Sequence, residues 1–127
     1  MGIRTGQQYL AGLKARPREV WLRGKRVTDV ASHPALRKPA EHVARLYDMQ
    51  HDEQYQDVLT YTSPSTGERV GTAFMMARNI EDLRKRREAF RLWAEASFGL
   101  LGRSPDFLNT TLMAWAESPA VFERMGA

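Results

Sequence analysis

Cysteine is absent from the 127 residues, which removes disulfides, thiolate nucleophiles and cysteine-ligated zinc or iron–sulfur sites together. Also missing is any continuous apolar run long enough to cross a bilayer, and no apolar stretch after Met1 leads to a small-residue cleavage site. The expected location is therefore the cytoplasm, with no membrane partner. No internal repeat or low-complexity stretch interrupts the chain. What is present, 43% hydrophobic residues in short patterned groups and 27% charged ones, is the composition of one globular domain.

The net charge of +4 is unevenly placed, because residues 1–26 hold seven basic residues and only Glu19 as an acid. Arg16, Arg18, Arg23, Lys25 and Arg26 are interleaved with Val20, Trp21 and Leu22. That pattern favours a solvated rim around a small packed unit over a nucleic-acid surface. The three histidines, His33, His42 and His51, lie nine residues apart with no paired-ligand spacing, so no metal is expected. His51-Asp52 could be an oriented acid–base pair, but a helix cap is the simpler reading.

Thr5 followed by Gln8 is a capping-box pair and predicts a helix over about Gly6–Ala15. Residues 19–28 place β-formers on both sides of Arg23-Gly24-Lys25 and predict a small hairpin. After a loop holding His33-Pro34 and Pro39, the spacing of Val43, Leu46, Tyr47 and Gln50 predicts a second helix from Ala40 to Gln50. In residues 52–78, Val58-Leu59-Thr60-Tyr61 reads as a strand and Ser63 to Gly67 as turn material, compatible with a hairpin or an extended loop. Asn79 caps a long helix with Leu83, Phe90, Trp93, Ser97 and Leu101 on its apolar stripe, and Arg84 to Arg87 mostly outside it as a solvated face. Ser104-Pro105-Asp106 starts the next helix, joined to the long one by a tight turn at 102–104, and Ser118-Pro119 repeats the device. Leu108, Thr111, Leu112 and Trp115 form one face, and Trp93 and Trp115 are expected in the core.

Arg103 lies between one helix end and the next helix start, where free amides add partial positive charge. That place suits an anion or a developing oxyanion; equally, the side chain could bond carbonyls closing the preceding helix.

The string Phe98-Gly-Leu-Leu-Gly-Arg103-Ser-Pro-Asp-Phe107-Leu-Asn, after Leu92-Trp93-Ala94, resembles the amino-terminal part of the 4-hydroxyphenylacetate 3-hydroxylase family. Thr5-Gly6-Gln-Gln-Tyr9, Val20-Trp21-Leu-Arg-Gly24-Lys-Arg-Val27, Leu46-Tyr47-Asp48-Met-Gln50-His51-Asp52 and Glu81-Asp82-Leu83 agree in order. The resemblance implies a mainly α chain, the amino-terminal helical domain of an acyl-CoA dehydrogenase-like fold with a small hairpin. It would be one domain over residues 1–127 and the first part of a longer, tetrameric oxygenase. It implies FAD, supplied reduced by a separate flavin reductase, forming a flavin C4a-hydroperoxide that hydroxylates a phenol ortho to its hydroxyl. Arg103 then matches the arginine near the phenolic oxygen, and Arg103, Ser104, Pro105, Asp106 and Phe107 match the substrate-contacting stretch. Most flavin contacts would fall beyond residue 127, so the chain alone should be catalytically silent.

Phe107 departs from the family pattern, which usually has tyrosine there, and its missing hydroxyl points to a phenol other than 4-hydroxyphenylacetate, such as a larger or carrier-linked one. Two alternatives remain open at this stage. One is a stand-alone helical interaction module pairing through Leu112, Trp115, Val121 and Phe122; the other is a relative of the 4-hydroxybutyryl-CoA dehydratases.

Overall fold

A computed structural model describes residues 2–16, 18–100 and 107–126. Among them six α-helices carry two small antiparallel strand pairs. The chain divides into two compact units, one ending at Gln56 and one beginning at Asp57. No helix among the described residues is long and apolar enough to cross a membrane.

In the first unit, helix α1 (Gly6–Ala15) begins with the expected capping box: Gln8 N–H donates to Thr5 Oγ1 at 3.2 Å and Thr5 N–H to Gln8 Oε1 at 2.9 Å. Strands β1 (Val20–Leu22) and β2 (Lys25–Val27) form the predicted hairpin, with Leu22 opposite Lys25. Its two loop residues, Arg23 and Gly24, have φ of 50° and 75°, the double left-handed turn whose twist matches that of paired strands.

Helix α2 (Arg37–Asp48) starts three residues ahead of the expected Ala40, so Pro39 lies in its first turn and not in a loop. A proline costs nothing there, because the first amides of a helix have no intrahelical acceptor. Buried Ala40 and Ala44 let α1 approach α2 closely. Gly6 N–H donates to Asp48 Oδ1 at 2.7 Å, so the α2 carboxylate sits at the positive end of α1. Tyr9 stacks on Tyr47 with centroids 5.0 Å apart, and the Arg4 guanidinium covers the Tyr47 ring at 5.2 Å.

Helix α3 (Glu53–Leu59) corrects the reading of Val58 and Leu59 as strand. Asp52 Oδ1 accepts from Gln54 N–H at 2.9 Å and opens the helix, which continues to the fully buried Leu59. The strand begins one residue later: β3 (Thr60–Thr62) pairs with β4 (Arg69–Gly71) in the register Thr60–Gly71, Tyr61–Val70, Thr62–Arg69. Of the two options for this region, the hairpin is the one formed. The apolar residues from Val70 to Met76 leave the sheet at Gly71 and make a short helical turn over Thr72–Phe74.

Helix α4 (Ile80–Ala96) is capped as predicted, Asp82 N–H donating to Asn79 Oδ1 at 2.8 Å. It closes with Ser97 Oγ donating to the Trp93 carbonyl at 2.7 Å. Helix α5 (Asn109–Glu117) and helix α6 (Pro119–Arg124) follow. Pro119 occupies the first turn of α6 as expected, but the Ser118 side chain makes no capping bond.

A Cβ at Gly6 would stand 2.5 Å from the Ala44 carbonyl oxygen and 2.6 Å from Asp48 Oδ2, whereas one at Gly12 meets nothing within 4 Å. Gly6→Ala should therefore destabilise the protein by about 1–3 kcal/mol, while Gly12→Ala, inside a helix with open space, should stabilise it by roughly 0.5–1 kcal/mol. Urea unfolding of the two variants beside the parent checks the opposite signs.

Candidate functional site

The residues marked by the sequence as substrate-contacting run from the end of α4 to the start of α5. Arg103, Ser104, Pro105 and Asp106 lie outside the described residues, as does the expected turn at 102–104. Phe107 is described: its side chain is 56% exposed, and its carbonyl accepts from Thr111 Oγ1 at 2.9 Å.

A tie to this end of α5 comes from α4, and α5 also packs on the Thr72–Phe74 turn. Arg86 was expected among the solvated cations and is instead 7% exposed. Its position explains this: Arg86, Phe90, Trp93 and Ser97 recur at helical spacing, so residue 86 belongs to the apolar stripe. Ala89 and Trp93 are its buried neighbours on the helix, and Leu83, expected on the stripe, is half exposed. The other cations of the run fit the solvated reading better, with Arg84 pairing to Glu81 at 3.7 Å. Glu88, next to the run, pairs with Arg91, whose guanidinium holds the carboxyl below its ordinary range.

Arg86 donates through Nη2 to Thr110 Oγ1 at 2.5 Å and covers the Phe90 ring at 5.4 Å. Its Nε is buried with no partner among the described residues, and burial pulls the guanidinium below its ordinary pKa. At the other end of α5, Arg78 Nη1 meets Glu117 Oε1 at 2.6 Å. The later residue on the α4 side thus joins the earlier one on α5, and the two segments run antiparallel. Between these contacts Met113 is the buried residue of α5.

This corrects the expected face of α5. Leu108, Leu112 and Trp115 all point outward, Trp115 with 55% of its surface exposed, while the expected core residue Trp93 is buried at 6%. Trp115 makes an edge contact with Phe122 across the α5–α6 turn, 6.1 Å between centroids.

At His51-Asp52 the helix-cap reading holds. Asp52 caps α3, and His51 directs Nε2 to the Arg4 carbonyl oxygen at 3.2 Å, so the pair is a connector within the first unit. No group of three metal-ligating side chains occurs among the described residues. Arg86 Nε and Trp93 Nε1 on α4 are buried donors with no partner among the described residues.

The family model for the 4-hydroxyphenylacetate 3-hydroxylase N terminal region matches residues 5–127. The oxygenase component of 4-hydroxyphenylacetate 3-monooxygenase from Thermus thermophilus is 44% identical over 119 residues, 94% of this chain and 24% of that protein. The crystal structure of such an oxygenase component complexed with FAD and 4-hydroxyphenylacetate superposes with a TM-score of 0.82 at 44% identity, covering 89% of this chain and 23% of that one. An archaeal 4-hydroxybutyryl-CoA dehydratase from N. maritimus, at 24% identity and a TM-score of 0.74 over 98% of this chain and 24% of its own, shares the fold. The chain spans about a quarter of the length of the relatives it matches. Family match, sequence identity and helical architecture agree: the chain belongs to the 4-hydroxyphenylacetate 3-hydroxylase family and corresponds to its amino-terminal region.

Proposed function

We propose that this chain is the amino-terminal helical domain, residues 1–127, of a longer FAD-dependent monooxygenase that hydroxylates a phenol ortho to its hydroxyl, and that its residues 103–107 form one wall of the substrate pocket. The observation that carries the reading is the continuous match over residues 5–127, which includes Gly102-Arg103-Ser-Pro-Asp. Relatives named as oxygenase components, one of them complexed with FAD and 4-hydroxyphenylacetate, support the reaction class. Reduced FAD, delivered by a separate flavin reductase and held mainly by the rest of the longer protein, would supply the activated oxygen. Assembly of that longer protein as a homotetramer belongs to the same reading.

The work left to this chain is binding and charge. A guanidinium at the phenolic oxygen favours phenolate, which pushes electron density to the ortho carbon; Arg103 is assigned that role. In a pocket closed to water such a fixed charge acts far more strongly than in solvent. Phe107 gives the wall an apolar face where a tyrosine would offer a hydrogen bond, and loss of a buried donor changes which phenols bind well.

The outward Leu112, Trp115 and Val121 favour a second reading, an interaction module without catalysis that pairs through this face. Sedimentation separates the two, because the module should self-associate as its concentration rises, and a monomer throughout argues against it.

In the full-length oxygenase, Arg103→Gln should lower hydroxylation by about 100- to 1,000-fold with FAD binding retained. Steady-state product formation with reductase, NADH and a phenol checks this, and turnover near the parental rate overturns the role of Arg103. Phe107→Tyr should raise kcat/KM for 4-hydroxyphenylacetate by roughly tenfold. Equal values for parent and variant would mean that Phe107 does not set the substrate preference.

A further inference from the structure

We infer that Arg86 is a positioning residue for Phe107: by donating to Thr110 it sets where the amino-terminal end of α5 lies, and with it the wall that Phe107 presents to a phenol. The inference rests on the reading above that residue 107 meets substrate.

The first support is the cost of the arrangement. Arg86 occupies the apolar stripe of α4, 7% exposed, on a helix where Ala89 and Trp93 are buried beside it. A leucine or methionine would fill that place without removing a cation from water. What arginine adds is a directed donor, and among the described residues its hydrogen-bond acceptor is Thr110, with the Phe90 ring 5.4 Å from the guanidinium carbon.

The second support is the way α5 is held. Its carboxy-terminal end is fixed by Arg78 to Glu117 at 2.6 Å and its middle by buried Met113. Towards its amino-terminal end Leu108 makes no side-chain capping bond and is 55% exposed, and the Arg86–Thr110 bond is a tie that reaches this end. Thr110 is one turn from Phe107, and Thr111 Oγ1 ties the Phe107 carbonyl into that turn at 2.9 Å. A shift of Thr110 therefore carries Phe107 with it. Met113 and Glu117 hold the rest of the helix, so loss of the Arg86–Thr110 bond acts on this end first.

The test uses the full-length oxygenase with saturating reduced FAD and a series of phenol concentrations. Thr110→Val removes the acceptor at nearly constant shape on an exposed position, Thr110→Ser keeps it, and Arg86→Met removes the donor. Thr110→Val and Arg86→Met should raise KM for the phenol roughly tenfold, as expected for a misplaced pocket wall, with kcat per FAD-loaded subunit within about twofold of the parent. Thr110→Ser should keep the parental KM. A parental KM in Thr110→Val overturns the inference, as does a lower melting temperature with KM unchanged in Arg86→Met. If Arg86→Met does not fold, the Thr110 pair decides alone. Arg103→Gln is assayed alongside: if it turns over like the parent, the proposed function falls and this inference with it. If it is inactive while Thr110→Val keeps the parental KM, only the positioning role fails.

Discussion

The second unit is organised around a guanidinium taken out of water with no carboxylate beside it among the described residues. Desolvating Arg86 is unfavourable, and the interior offsets that with one hydroxyl and one aromatic face, Thr110 and Phe90. Because such contacts are directional, α5 cannot slide along α4 without losing them. The Arg78–Glu117 pair, more exposed and so weaker in water, fixes the antiparallel sense at the far end. The result is a helix pair tied near Thr110 at one end of α5 and at Glu117 at the other.

The first unit solves a different problem with a carboxylate. Asp48 accepts from Gly6 N–H, where the α1 macrodipole favours negative charge, and the absence of a side chain at Gly6 lets the Ala44 carbonyl come close. Arg4, Tyr47 and Tyr9 extend the same contact into an aromatic stack. The acid–base candidate His51-Asp52 serves local structure, Asp52 as the cap of α3 and His51 as a tie to the Arg4 carbonyl.

Much of this was legible from residue types. Capping at Thr5 and Asn79 follows from side-chain oxygens placed before helical periodicity, and the hairpin at Arg23-Gly24 from a glycine between β-formers. Where the reading failed, local preference lost to tertiary context. Val58 and Leu59 are β-formers, yet the Asp52 cap starts a helix that carries them through to a buried end. Pro39 looked like a breaker and is harmless in a first turn. Arg86 was assigned to solvent by its charge, although its spacing to Phe90, Trp93 and Ser97 placed it inside. Trp115 was assigned to the core by its chemistry and faces outward, because Met113 turns the buried face of α5 elsewhere. The substrate stretch itself was legible only as a family resemblance, since Arg103 at a helix start suits an anion and a carbonyl cap equally well on physical grounds.

That ambiguity is resolved most directly by the distance from the Arg103 guanidinium to the phenolic oxygen in a crystal structure of the full-length oxygenase with FAD and a phenol bound. The account predicts a charge-assisted hydrogen bond of about 2.7–2.9 Å, with the Phe107 ring against the same substrate. A phenol bound elsewhere, with Arg103 turned back to the carbonyls that close α4, would contradict it.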